Sequence, residues 1–189
     1  MEMKKWLNKQ DGFTMIEMII TIGVMAVLAS AVIVSFSIIS SGNASKSTAR
    51  FLNRLDAVQV EDMTKTGVTY LYLYKDSDGV KTFMCNDGTE EGLTNRTDLM
   101  TQVSAGNGTI TDIAGSGVDF TLPDGTNSAD DANLVVKIAF EKGSGAFACS
   151  KKIEDTTGTV FYDKISFKGR QTTDYSVKML QNTGKHMKG

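Results

Sequence analysis

The apolar residues of this chain are concentrated in one long block near the N-terminus. Between Met18 and Ile39 there is no charged residue, and the block follows a leader that contains Lys4, Lys5 and Lys9. A run of this length is sufficient to cross a bilayer as a helix, which takes about 20 apolar residues. Because the lysines precede the run, the positive-inside rule predicts a cytoplasmic N-terminus and a C-terminal domain outside.

A second, amphipathic pattern follows the apolar block. The positions that recur at helical spacing on one face are Phe51, Leu55, Val58 and Asp62. This spacing predicts that the helix continues through residues 41–66 with one face on a core. Gly67 is a natural helix end. A turn at Gly42, which would make this segment a separate short helix, is the alternative.

Residues 67–189 have the pattern of a head domain made of short strands. The predicted strands are Val68–Tyr74, Val80–Cys85, Val118–Leu122, Leu134–Phe140, Ala146–Ile153 and Thr159–Phe167. Asp78-Gly79 is a hairpin signal between the first two strands. The segment 86–117 is polar and contains one predicted short helix near residues 98–104. The predicted fold class is α+β, with a long N-terminal helix packed on an antiparallel β-sheet.

One carboxylate, Glu17, lies inside the beginning of the apolar block. A charge in a membrane helix costs about 2.5–3.5 kcal/mol at the helix centre, and such charges usually have a function and a partner. No basic side chain follows Glu17 within two helical turns, and Lys9 lies two turns before it. Cutting the chain after Gly12 would create a positively charged amino group at the beginning of the apolar helix, close to Glu17.

The segment from Lys9 to Glu17, KQDGFTMIE, resembles the prepilin cleavage motif of type IV pilins and type II secretion pseudopilins. The resemblance implies that residues 1–12 are a leader, removed by a prepilin peptidase that cuts between Gly12 and Phe13. It also implies that Phe13 is N-methylated and that Glu17 pairs with the terminal amine of a neighbouring subunit during assembly.

The same resemblance implies a pilin-like fold, in which residues 13–40 are a transmembrane helix before assembly and the filament core afterwards. One departure is Val34, which stands where many members of the family carry a proline. A proline-linked kink of the helix is therefore not implied for this chain.

The predicted function is that of a structural subunit of a type IV pilus that serves adhesion, motility or DNA uptake. Its expected partners are copies of itself in a helical filament, prepilin peptidase, the pilus assembly platform and the cytoplasmic membrane before assembly. It would move from that membrane, as a single-pass protein with its C-terminus outside, to a surface filament. The alternatives are a pseudopilin of a type II secretion or competence system, a minor tip pilin, and an uncut membrane-anchored extracellular binding domain.

Composition and motifs argue against several other classes of function. The formal net charge is −2 and His186, in a tail predicted to be disordered, is the single histidine. No nucleotide-binding loop or catalytic constellation is recognisable. We therefore expect no enzyme activity, no cofactor, no bound metal and no specific nucleic acid.

Three further features have an ordinary interpretation beside a functional one. Cys85 and Cys149 either form a disulfide or remain two buried thiols. The tyrosines at alternate positions of the first predicted strand form either an adhesive or conductive surface or, as we expect, a half-buried sheet face; they are Tyr70, Tyr72 and Tyr74. An oxygen-rich loop is expected to be a solvated turn, because its spacing does not fit an EF-hand calcium site; its residues are Asp124, Asn127, Asp130, Asp131 and Asn133.

Overall fold

The structure is a computed structural model that describes residues 13–86, 92–155, 160–169 and 174–189. For residues 31–42 it describes the backbone but not the side chains. The helices are α1 (Met15–Thr64) and α2 (Arg96–Ala105), with one 3₁₀ turn, Gln181–Thr183. The strands are β1 (Thr69–Lys75), β2 (Gly79–Asn86), β3 (Thr109–Gly115), β4 (Val118–Thr121), β5 (Val135–Phe140), β6 (Phe147–Lys152), β7 (Lys164–Gly169), β8 (Tyr175–Met179) and β9 (His186–Lys188). The fold is therefore α+β with antiparallel strands, as predicted.

The chain divides into two compact units between Ile38 and Ile39, and each is described by itself. In the first unit, the side chains from Phe13 to Ser30 are exposed although most of them are apolar. Among the residues that the structure describes, no helix is both long and apolar enough to cross a membrane. The side chains of residues 31–40, which belong to the predicted apolar segment, are not among those that the structure describes.

In the second unit, the described strands form two antiparallel sheets, whereas a single sheet was predicted from the sequence. The five-stranded sheet has the order β3-β2-β1-β5-β6, and the four-stranded sheet has the order β4-β7-β8-β9. Three of these strands, β3, β8 and β9, were not predicted from the sequence. The predicted disorder of the C-terminal tail was wrong, because β9 pairs with β8 from Val177 to Met179.

The amphipathic part of α1 packs on one face of the five-stranded sheet, as its spacing predicted. Phe51, Leu55 and Val58 are buried there, in a core that also contains residues of both sheets such as Leu71 and Phe167. The helix includes Gly42, so the alternative of a separate second helix is not what the structure shows. The helix ends at Thr64, just before Gly67, whose φ of +99° favours glycine.

The other face of the five-stranded sheet packs against α2 in a second apolar cluster. Successive residues of a strand point to opposite faces, so β1 directs its leucines to the α1 side and its tyrosines to the α2 side. Tyr70, Tyr72 and Tyr74 are buried in this cluster together with Leu99 of α2. The interpretation of the tyrosines as an adhesive or conductive surface was therefore wrong, and they are more buried than the half-buried face that we expected.

Candidate processing and assembly site

The predicted processing site lies directly before the first helix. Gly12, on the leader side of the predicted cut, lies outside the described residues. Phe13, on the other side, is 83% exposed and precedes α1 by two residues. The residue predicted to be methylated is thus at the tip of the helix and not covered by the described part of its own chain.

Thr14 and Glu17 form a reciprocal cap at this end of α1. The backbone N–H and the hydroxyl of Thr14 both donate to Oε2 of Glu17, at 2.8 Å each. The backbone N–H of Glu17 lies 3.3 Å from Oγ1 of Thr14, which accepts its hydrogen bond. This is the capping box, in which a Thr before the helix and a Glu three residues later satisfy each other's backbone donors.

The capping box corrects the expectation that Glu17 lacks a local partner. The expected partner was a cation, whereas the structure supplies a hydroxyl and a backbone N–H from Thr14. The spacing Thr-x-x-Glu before an apolar run was the signal that could have revealed it. A carboxylate has about four lone-pair positions. The contacts with Thr14 therefore leave room for a cation to bind the same group.

The apolar side chains within the capping box and after it are exposed around the helix. Those with more than half of their surface exposed are Met15, Ile16, Met18, Ile19, Ile20, Ile22, Val24, Met25, Val27 and Leu28. Contiguous apolar surface of this extent is unusual on a soluble monomer and marks contact with a membrane or with other proteins. Glu17 places a carboxylate near the beginning of this apolar surface.

The two cysteines lie in the five-stranded sheet on strands that are not neighbours. Cys85 is on β2 and Cys149 on β6, and β1 and β5 lie between these strands. Three strand spacings of 4.7–4.9 Å separate the two residues by roughly 14 Å. A disulfide requires Cα atoms within about 7 Å. The structure has two thiols and no disulfide between them, but only Cys85 is buried, whereas Cys149 is partly exposed.

The oxygen-rich loop uses its side chains to fold its own backbone. Oδ1 of Asp124 accepts from Thr126 N–H at 2.9 Å, and Oδ2 accepts from Lys152 and from the Tyr162 hydroxyl. Although burial opposes it, these hydrogen bonds hold the pKa of Asp124 well below its usual range. No cluster of potential metal ligands occurs in the part of the chain that the structure describes. Asp130, Asp131 and Asn133 are exposed, so this part of the loop is the solvated turn that we expected.

His186, which the sequence placed in a disordered tail, is held by defined contacts. Its Nε2 lies 2.8 Å from Oδ1 of Asp56 on α1, and its Nδ1 lies 3.0 Å from the carbonyl oxygen of Gly184. The rings of Phe140 and Phe147 lie beside the imidazole. These contacts fix the C-terminal strand to the helix.

The N-terminal segment also matches a known sequence family. Residues 7–33 match the family model of the prokaryotic N-terminal methylation motif. This motif is a class III signal peptide typical of type IV pilins and pseudopilins, so the resemblance seen from Lys9 to Glu17 is confirmed. It implies, in general terms, processing by a prepilin peptidase and assembly into a filament. No curated protein and no solved structure matches the chain.

Proposed function

We propose that this protein is a structural subunit of a type IV pilus. The observation that carries the proposal is a helix whose exposed apolar side chains begin directly at a prepilin methylation motif. Removal of residues 1–12 would leave the free amine of Phe13 as the new terminus, which is then methylated, and the apolar part of α1 enters the filament from there. The head domain, residues 67–189, then lies on the outside of the filament.

The proposed assembly has an energetic and a specificity component. Burial of the exposed apolar side chains against other copies supplies the driving force, at about 25 cal/mol for each Å² removed from water. Glu17 of one subunit binds the terminal amine of a neighbour. A buried ion pair contributes more reliably to specificity than to stability, so its role here is to set the axial register.

The proposed life cycle has two locations. Before assembly the precursor is anchored in the cytoplasmic membrane by residues 13–40, with its head outside, and it meets prepilin peptidase and the pilus assembly platform there. After assembly the subunit is part of a surface filament, where its contacts are chiefly with other copies of the same chain.

Mass spectrometry of the native protein tests the processing step. The expected N-terminus is Phe13, one methyl group heavier than the unmodified residue. A Gly12→Val variant is expected to retain the leader, whereas Gly23→Ala is expected to be cut, because a Cβ at Gly23 meets nothing within 4 Å. A native N-terminus at Met1 would remove the pilin proposal and leave an uncut anchored domain.

Electron microscopy tests which filament is formed. Abundant surface filaments that are labelled by an antibody against the head domain support the pilus. Correct processing at Phe13 without surface filaments would instead assign the chain to a pseudopilin of a secretion or competence system. The methylation motif is common to both classes, so the microscopy is the measurement that separates them.

A further inference from the structure

The imidazole ring of His186 has an oxygen atom opposite each of its two nitrogens. Nε2 lies 2.8 Å from Oδ1 of Asp56 on α1, and Nδ1 lies 3.0 Å from the carbonyl oxygen of Gly184. A carbonyl oxygen and an ionised carboxylate can only accept a hydrogen bond. A neutral imidazole carries one N–H and can donate to only one of these oxygens, whereas the protonated ring donates to both. The geometry therefore fits the positively charged form of His186.

The surroundings of the ring make each of its hydrogen bonds important. The side chain of His186 is only 5% exposed, although that of Asp56 is 67% exposed. The rings of Phe140 and Phe147 lie beside the imidazole, each with its centroid 6.1 Å away. Water therefore has little access to the ring nitrogens, and a neutral ring would turn a lone pair towards one of the two oxygens. A buried polar group that loses its hydrogen bond in this way is unfavourable.

Asp56 is the charged group that faces the ring from α1. The neighbouring strand β8 places Met179 opposite His186, and β5 and β6 contribute the two phenyl rings, so these described contacts add no charge. The charged neighbours on the same segment, Lys185 and Lys188, are exposed. Burial by itself disfavours a charged imidazole. The positive charge is favoured here by the two acceptors, one of which has the opposite charge.

The contacts of His186 hold a short strand. Strand β9 has three residues and pairs with β8 from Val177 to Met179. One helical turn after Asp56, Nε2 of Gln59 lies 3.4 Å from the carbonyl oxygen of Gly184, directly before this strand. Chain ends and short segments open locally at a low free energy unless further contacts hold them. The two hydrogen bonds of His186 therefore determine how often β9 opens.

We propose that Asp56 and His186 form a pH-sensitive clasp between α1 and β9. While both ring nitrogens carry a proton, both hydrogen bonds are made and β9 is held on the head domain. Loss of one proton leaves one hydrogen bond, so β9 opens more often as the pH rises. Histidine is the side chain that ordinarily changes its charge between about pH 5 and 8. The clasp lies within the head domain and does not rest on the proposed pilus function.

A second contact between β9 and α1 provides a matched control. The ammonium group of Lys188 donates to Oγ of Ser45 at 3.2 Å. Lysine ammonium groups and serine hydroxyls do not ordinarily change their charge between about pH 5 and 8. Ser45→Ala therefore removes a hydrogen bond between the same two elements and leaves the proposed pH-sensitive group in place.

Hydrogen exchange of residues 186–188, in the full chain in phosphatidylcholine nanodiscs, tests the clasp near pH 5.5 and near pH 8.5. Protection factors, which are corrected for the intrinsic exchange rate at each pH, are compared with those of β5 in the same sample. In the wild-type chain the protection of β9 relative to β5 is expected to fall about tenfold at the higher pH, since a hydrogen bond to a charged group commonly contributes at least that factor. His186→Gln should remove most of this pH dependence, and Ser45→Ala should keep it.

Several results would overturn the clasp. They are a relative protection of β9 that is unchanged or higher at the higher pH in the wild-type chain, and a His186→Gln variant that retains the wild-type fall. Circular dichroism checks that each variant is folded.

If His186→Gln leaves β9 unprotected at both pH values, Asp56→Asn decides the question. Asp56 is largely exposed, and the amide keeps the shape of the carboxylate while it removes the charge. A much smaller fall in protection for Asp56→Asn than for Ser45→Ala supports the clasp, and equal falls in these two variants reject it.

Discussion

Asp62 on α1 and Phe140 at the end of β5 are joined by a hydrogen bond across 78 residues of sequence. Oδ2 of Asp62 accepts from the backbone N–H of Phe140 at 3.2 Å, and Oδ1 accepts from the backbone N–H of Thr69 at 2.5 Å. The carboxylate is 1% exposed, so these donors have little access to water. One side chain therefore ties the last turn of the helix to two neighbouring strands.

We expect Asp62→Ala to lower the free energy of unfolding by about 3 kcal/mol at pH 7. The substitution leaves two buried N–H groups without their acceptor, and each such group costs about 1–3 kcal/mol. Urea unfolding followed by circular dichroism measures the change. Asp130→Ala is the control, because Asp130 is exposed and its replacement should change stability by less than about 0.5 kcal/mol. Equal effects of the two substitutions would contradict the role of Asp62.

The pKa of Asp62 predicts how the stability difference between wild type and Asp62→Ala depends on pH. Burial raises the pKa of Asp62 above its ordinary value, despite the hydrogen bonds from Thr69 and Phe140. The folded state therefore holds the proton more tightly than the unfolded state, whose Asp pKa is about 3.9. The tighter proton binding stabilises the folded state fully at pH values below the unfolded-state pKa. This stabilisation declines as the pH rises through the folded-state pKa of Asp62.

The stability gap between wild type and Asp62→Ala should thus be larger near pH 3 than near pH 7. Urea titrations of both proteins at a series of pH values measure it, with Asp130→Ala as the reference for general acid effects. A gap that widens as the pH rises would show that Asp62 is stabilised in its ionised form instead.

The spacing of Phe51, Leu55, Val58 and Asp62 correctly predicted the buried face of α1. The sequence could not identify the acceptor role of Asp62, because its donors come from β1 and β5 and depend on how distant strands are arranged. The capping box between Thr14 and Glu17 is a local pattern and could have been predicted. Local patterns are visible in a single sequence, whereas pairings between distant segments are not.

The division of the strands between two sheets also could not be predicted from the sequence. Strand β9 has three residues, too few to show an alternating pattern, and the contacts of His186 with Asp56 and two phenylalanines hold it in place. The buried Lys137 was missed for a related reason. A lysine within an apolar run indicates only that a charge interrupts the strand, and its burial depends on which strands pair with β5.

The capping box and the proposed assembly contact of Glu17 can be separated by mutation. We expect Glu17→Gln to abolish filaments, because the amide carries no charge to pair with the terminal amine of a neighbour. Thr14→Val removes the hydroxyl of the cap and keeps the carboxylate, so filaments should persist. Loss of the cap itself should lower the stability of the helix by about 1 kcal/mol.

Electron microscopy and immunoblots of sheared filaments measure the outcome, and membrane fractions show whether each subunit is inserted. Normal filaments from Glu17→Gln would exclude the ion pair. Equal loss in both variants would assign the defect to the helix cap and not to the contact between subunits.

The sheet positions of the cysteines predict a chain without a disulfide. Native protein that is denatured in iodoacetamide without reductant should gain two alkyl groups, at Cys85 and Cys149. Mass spectrometry of the tryptic peptides identifies both sites. Recovery of a linked peptide that contains both cysteines would contradict the separation of β2 from β6.

Gly184 lies at a crowded turn where the C-terminal segment meets the turn between β5 and β6. A Cβ at Gly184 would lie 1.7 Å from the carbonyl oxygen of Gly145 and 2.6 Å from Nε2 of Gln59, which donates to that oxygen. Gly125 has a similar positive φ, +86° against +63°, but a Cβ there meets nothing within 4 Å. Gly125→Ala should therefore cost only the left-handed backbone penalty of about 1–2 kcal/mol.

We expect Gly184→Ala to cost clearly more than Gly125→Ala, because it adds a backbone clash to a similar conformational penalty. The displaced turn should also loosen β9, since Gly184 is two residues before His186. Urea unfolding compares the two variants, and hydrogen exchange at residues 186–188 reports on the strand. Equal destabilisation by the two substitutions, with hydrogen exchange in β9 unchanged, would contradict this prediction. It would mean that the turn at Gly145 shifts away from the new Cβ with little loss of stability.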